Sequence, residues 1–180
     1  MHIEAMQFMQ FIKSKFPEHF KDLTVLDVGS GDINGNNRYL FDNCKYMGND
    51  VIKAPNVDIV SKTKDLPFAD NFFDTIVSTE CFEHDPEYAQ SIKKIYSMLK
   101  SEGMFAFTCA STGRLEHGTR LTSPMDSYGT IGGLEEMSDY YKNLTIEDIN
   151  KVLNLDEHFV QWETAYNPRS KDLYFYGIKK

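Results

Sequence analysis

The most constraining feature of the chain is the run at residues 23–28, LTVLDV, which stops at Gly29-Ser30-Gly31. An apolar, β-branched run without polar alternation reads as a strand buried on both faces, the pattern of a parallel sheet covered by helices. The glycines allow a sharp turn and let a ligand approach where a Cβ would collide, while the turn's amides offer hydrogen-bond donors. In open α/β sheets a ligand lies beyond the carboxyl ends of the strands, against the loop after such a strand.

The rest of the chain extends this pattern. Ala5, Phe8, Met9, Ile12 and Phe16 fall at helical spacing before Pro17, so residues 1–20 read as an amphipathic N-terminal helix. A short helix is expected over 36–42, with strands over 45–50, 57–60 and 73–79. Asp85-Pro86 then offers an N-cap and a first-turn proline for a helix. In that helix Tyr88, Ala89, Ile92, Ile95, Tyr96 and Leu99 form one apolar stripe opposite Lys93, Lys94 and Lys100. Gly103 marks the exit before a strand over 104–108. Thr145 with Asp148 forms a capping-box pattern for a helix through Leu153, and β-rich runs over 159–165 and 173–178 end the chain. The expected fold is α/β: a doubly wound, Rossmann-like, mostly parallel seven-stranded sheet with an antiparallel C-terminal edge hairpin. Residues 110–143 carry five glycines and little periodicity, which reads as a substrate lid.

With 180 residues, 41% of them hydrophobic, one domain spanning 1–180 is expected. The net charge of −8 opposes broad attraction to nucleic-acid phosphates. Glu4, Gln7 and Gln10 interrupt the N-terminal apolar residues, so a signal peptide or membrane span is not expected and the chain reads as cytoplasmic. Cys44, Cys81 and Cys109 are scattered and form no CxxC pair, which fits reduced thiols.

Two acids extend the glycine turn into a nucleoside site. Asp50 ends the second strand and is positioned to accept ribose hydroxyls, and Asp65, beside Leu66 and Pro67, to accept from an adenine amino group. VLDVGSG at 25–31, YMGND at 46–50, KDLPFADNFFDTIVSTECFEH at 64–84 and LKSEGMFAFT at 99–108 resemble class I S-adenosylmethionine-dependent methyltransferases, in particular the type 11 methyltransferase-domain group. The resemblance implies a donor site of Asp27, Gly29, Ser30 and Gly31 around the methionine part, Asp50 and Val51 at the ribose, Asp65 and Leu66 at the adenine, and Thr79 at the amino-acid end. It implies S-adenosylmethionine as cofactor and S-adenosylhomocysteine as product. The glycine loop departs from the usual GxGxG, continuing Asp32-Ile33-Asn34-Gly35, which puts the methionine-end contacts in question. The same spacing is not the GxGxxG of a nicotinamide-dependent oxidoreductase.

Methyl transfer from a sulfonium is an in-line displacement that rewards positioning, with a base where the acceptor loses a proton. Glu80, Glu83 and His84 follow the fourth strand and would share a face at i, i+3 and i+4 of one helical turn. The ExxEH pattern resembles the metal-holding segment of small-RNA 2′-O-methyltransferases and ubiquinone-pathway O-methyltransferases, with His117 as a further ligand. Carboxylate and imidazole would suit manganese or zinc better than magnesium. The alternative is that Glu83 and His84 orient the next helix. In the lid, Arg114 and Arg120 suit an anionic acceptor and His117 suits a base, with Asp126 and Tyr128 nearby. Trp162, Tyr166 and Tyr174-Phe175-Tyr176 read as hairpin packing. The function expected is methyl transfer to oxygen or nitrogen of a small-molecule or glycan acceptor, with neither membrane nor nucleic acid as partner. The alternatives are a non-catalytic domain that binds the donor and, behind it, a NAD-dependent oxidoreductase.

Overall fold

In the computed structural model, which describes residues 2–180, seven strands form one sheet: β1 (Thr24–Val28), β2 (Lys45–Asp50), β3 (Ile59–Val60), β4 (Phe73–Thr79), β5 (Leu99–Ala110), β6 (Phe159–Asn167) and β7 (Asp172–Lys179). Their order is β3-β2-β1-β4-β5-β7-β6. The first five are parallel to their neighbours, and β7 runs antiparallel between β5 and β6. The chain moves outward from β1 to β3 and returns to β4 on the other side of β1, so strand order reverses between β1 and β4. That reversal opens a crevice at their carboxyl ends.

Alternation along the strands decides which residues meet which helices. On one face Phe105, Phe107 and Phe175 join Leu26, Ile92, Ile95, Ile149 and Leu153. These residues pack the sheet against helices α2 (Tyr88–Met98) and α5 (Ile146–Val152). On the other face Met104, Ala106, Val77 and Tyr176 join Met9, Ile12 and Phe20, which buries the inner side of α1 (Ile3–Lys15). The capping box of α5 forms as expected, Thr145 and Asp148 bonding each other's backbone N–H groups.

Several local expectations shift. No helix forms over 36–42; only a 3-10 turn, Arg38–Leu40, is present. Asp32 explains this, because its carboxylate takes the Gly35 N–H at 2.7 Å and the Asn36 amide at 2.6 Å, holding the segment in a turn. The third strand is only two residues long. Helix α2 begins at Tyr88, not at Pro86; Asp85 instead accepts the Glu87 N–H at 2.8 Å and the Ser91 hydroxyl at 2.5 Å, bracing the turn ahead of the helix. Strand β5 starts at Leu99, earlier than expected, because Leu99 pairs with Phe73 across a register shift in the β4–β5 ladder. The segment over 110–143 carries two one-turn helices, α3 (Tyr128–Ile131) and α4 (Glu135–Ser138). A single turn, α6 (Leu155–His158), leads into β6. Among the described residues no helix is long and apolar enough to cross a membrane.

Candidate active site

One cavity runs along the carboxyl ends of β1, β2 and β4. It is lined by Asp27, Gly29, Ser30, Gly31, Asp50, Val51 and Thr79 at one end and by His2, Glu80, His84, Arg114 and His117 at the other.

The first end is built by the glycine turn. Gly29 has φ +69°, and a Cβ there would stand 2.5 Å from the Cys81 side chain. A Cβ on Gly31 would stand 2.2 Å from the Tyr128 ring and 2.8 Å from Asp50 Oδ2. Both positions therefore admit only glycine without rearrangement. Asp50 Oδ2 accepts the Gly31 N–H at 2.9 Å and Oδ1 the Val51 N–H at 2.7 Å, so the backbone fixes this carboxylate at the strand end. Each oxygen keeps a second lone pair for another donor. Asp27 is buried and accepts from the Tyr46 hydroxyl and from Asn37 Nδ2 at 3.2 Å, and the same Asn37 amide reaches Thr79 Oγ1 at 3.2 Å. Burial pushes the Asp27 carboxyl up to about 7 despite the Tyr46 and Asn37 hydrogen bonds. Burial also raises Asp50, against its two N–H donors.

Asp65 and Leu66 do not join this cavity. Leu66 is buried in the core, and the Asp65 carboxylate is largely exposed and pairs with Lys64 at 3.0 Å. A 3-10 turn, Thr63–Asp65, accounts for this by turning Thr63 inward and carrying Asp65 to the surface. Ser61, Lys62, Thr63 and Lys64 line the wall in its place.

At the second end the expected helical face of Glu80, Glu83 and His84 is not formed. Glu80 adopts φ +54°, and the turn that follows, Phe82–His84, is 3-10, so the three side chains separate into two groups. A left-handed glutamate at a strand end is strained by roughly 1–3 kcal/mol, the kind of cost met at functional sites. Its carboxylate accepts the Thr108 hydroxyl at 2.7 Å and faces His2 Nε2 at 3.2 Å. Burial penalises the Glu80 charge, but the His2 hydrogen bond and charge hold its carboxyl below the usual range.

Glu83, His84 and His117 form the other group, with one ligand atom of each within 4.8 Å of the others. The His84 and His117 rings stand edge to face at 4.9 Å. Both Glu83 oxygens, both His84 nitrogens and the Tyr141 hydroxyl beside them are buried with no hydrogen-bond partner among the described residues. Burial and then the Glu80 charge push Glu83 well up, while burial and His117 pull His84 down to about 3, leaving it neutral.

The segment over 110–143 lines both ends. The Tyr128 ring lies on Gly31 and its hydroxyl donates to the Asp32 carbonyl at 3.2 Å, while Lys142 N–H bonds the Glu83 carbonyl at 2.9 Å. Asp126 also lines the cavity. Arg120 does not; it forks onto Glu135 and Asp139 on the outer surface. Trp162 and the 174–176 aromatics pack in the hairpin and against the sheet, away from the cavity. Two cavity residues carry no sequence signal, His2 and Cys81 against Gly29, and neither does Asp172, buried behind the cavity wall, whose carboxylate reaches His2 from the start of β7.

Residues 26–107 match the family model of a methyltransferase domain. No curated protein sequence matches the chain significantly. Among solved structures, the chain is similar to the 1,6-didemethyltoxoflavin-N1-methyltransferase of Burkholderia thailandensis, determined with 1,6-didemethyltoxoflavin and S-adenosylhomocysteine bound, at 15% identity and TM-score 0.66 over 99% of this chain and 79% of that one. A SAM-dependent methyltransferase from Aquifex aeolicus gives 15% identity and TM-score 0.64 over 96% and 89%. Phosphoethanolamine N-methyltransferase 2 of Haemonchus contortus gives 16% and 0.63, covering 96% of this chain and 52% of that one. The fold is thus the one these S-adenosylmethionine-dependent methyltransferases share. The family match itself covers residues 26–107, a segment similar to a methyltransferase domain.

Proposed function

We propose that the chain transfers the sulfonium methyl of S-adenosylmethionine to an oxygen or nitrogen of a small-molecule or glycan acceptor. The observation that carries this reading is a single cavity with a glycine turn and Asp50 at one end and Glu80, the buried His84 and His117 at the other. The glycine turn over 29–31 and Thr79 face the methionine part of the donor, and Asp50 beside Val51 takes the ribose hydroxyls. The Ser61–Lys64 wall covers the adenine, the role that Asp65 and Leu66 are too far out or too deep to fill. In the transfer the acceptor's lone pair forms the new bond to the methyl carbon, and the carbon–sulfur electrons return to sulfur, giving S-adenosylhomocysteine. The acceptor's proton goes to Glu80, which is ionised and lines the cavity.

The unpaired Glu83 oxygens and His84 nitrogens favour a second reading of their own group. One carboxylate and two imidazoles fit a divalent cation of the manganese or zinc kind, which would supply charge stabilisation to an acceptor oxygen. Glu80, held by Thr108 and His2, stands outside that ligand set.

Calorimetric titration with S-adenosylhomocysteine tests the donor reading: one molecule is expected per chain, with no heat from NAD. Transfer of labelled methyl to an acceptor library, in chelator-treated and in manganese-supplemented protein, tests the rest. A chain that binds the donor and methylates nothing in either condition is a binding-only domain. Equal turnover in both conditions removes the cation.

A further inference from the structure

Asp172 opens β7 and is fully buried, and Glu80 closes β4 with a side chain only 9% exposed. The register places Asp172 opposite Ala110 and Thr108 opposite Thr79, which brings the two carboxylates from separate strands to one spot at the cavity's second end. His2 fills that spot. Its Nε2 lies 2.8 Å from Asp172 Oδ2 and 3.2 Å from Glu80 Oε2, and the three atoms lie within 4.8 Å of one another.

The fit is incomplete in a way that names the missing chemistry. Nε2 carries a single N–H between two carboxylate oxygens, so among the described residues one of the two has a charged neighbour and no hydrogen-bond donor of its own. The other ring nitrogen is turned to Glu4 at 3.1 Å. Arg114 reaches only the far oxygen of Asp172, at 3.4 Å, and its short hydrogen bond goes to the Ser170 carbonyl at 2.6 Å. Glu83, buried alongside, makes no side-chain hydrogen bond among the described residues and so does not satisfy Asp172 either. A group with several N–H donors on one positive centre satisfies both carboxylates at once, as an imidazole edge does not. The His2 side chain is the most displaceable part of the arrangement: it precedes α1, makes no side-chain capping hydrogen bond to the backbone of that helix, and is about a quarter exposed.

We propose that Glu80 and Asp172 form a cation subsite for an alkylammonium or guanidinium group of the acceptor, and that His2 is a built-in occupant which the acceptor displaces. This rests on the methyl-transfer reading and narrows its acceptor to a molecule bearing a cationic nitrogen group.

The test uses the full chain saturated with S-adenosylhomocysteine, with n-butylammonium as probe and 1-butanol as its uncharged counterpart. Calorimetry is expected to show one butylammonium per chain in His2→Ala, bound about tenfold tighter than in the parent because the competing imidazolium is gone. Butanol should give no saturable heat, and Asp172→Asn in the His2→Ala background should lose the tightening. Equal affinity in parent and His2→Ala, equal binding of butanol, or binding undiminished by Asp172→Asn overturns the subsite. Should Asp172→Asn fail to take up S-adenosylhomocysteine, Glu80→Gln in the same background makes the same comparison. In the unaltered protein, NMR of the His2 ring gives an answer independent of folding. Saturating butylammonium should release the ring to titrate near its ordinary value, and a ring whose titration does not move overturns displacement. Failure of the parent to bind S-adenosylhomocysteine sinks the methyltransferase reading instead.

Discussion

The two ends of the cavity are built on opposite terms. At the donor end every carboxylate oxygen of Asp27 and Asp50 has a donor from backbone, Asn37 or Tyr46. At the transfer end Glu83 and His84 have none among the described residues, and Asp172 Oδ2 has only a neighbouring charge. A buried polar group without a partner costs about 1–3 kcal/mol, so the second end lowers the stability of the fold while the first contributes to it. The difference teaches which half is preformed by the fold and which half keeps its hydrogen-bonding capacity for a substrate.

The sharpest break in that comparison is Glu80→Gln. Labelled-methyl transfer should slow by about 10²-fold or more, the range for loss of a positioned proton acceptor, with S-adenosylhomocysteine affinity nearly unchanged. Undiminished turnover would take Glu80 out of the chemistry. Asp50→Ala should do the reverse, weakening S-adenosylhomocysteine by about 10- to 100-fold as a charged hydrogen-bond acceptor is lost. Unaltered calorimetric affinity would remove Asp50 from the ribose contact.

A smaller effect concerns stability. Because burial raises Asp27 to about 7 in the folded chain, the folded state holds a proton that the unfolded state releases near its ordinary value of 3.8. Its contribution is complete below pH 3.8 and is lost, at about 1.4 kcal/mol per unit, as pH rises towards 7. Urea unfolding of Asp27→Asn should show a flatter fall over pH 5–7 than the parent, and parallel curves would refute the shift. The smallest effect should come from Arg120→Ala. Its partners Glu135 and Asp139 are solvent-exposed and it lies off the cavity, so turnover should match the parent within error. A marked loss would mean that the lid's outer surface meets the acceptor.

The donor end was legible because its signal is local: an apolar run, two glycines, and an acid at the next strand end. Alternation of strands and helices gave the sheet and its terminal hairpin in the same way. The 36–42 helix failed because Asp32 spends its carboxylate on a turn, an interaction that helical periodicity does not register. Asp65 has the right chain position but sits on the outer side of a 3-10 turn, where one residue of rotation exchanges wall for solvent. The ExxEH spacing presumed an α-helical turn, and the left-handed Glu80 divided it. His2, Glu80 and Asp172 are brought together only by the β5–β7 pairing and the docking of α1, so no spacing in the chain encodes them.

Tyr128 gives the lid a kinetic meaning. Its ring rests on Gly31 and its hydroxyl on the Asp32 carbonyl, so the segment that lines the acceptor end is also latched to the loop that cradles the donor. On the proposed function, spent cofactor would leave only once that latch opens, and product exit would then be the slow event of the cycle. Rapid-quench experiments should therefore record a burst of methylated product in the first turnover, and Tyr128→Ala should erase the burst while raising the S-adenosylhomocysteine off-rate.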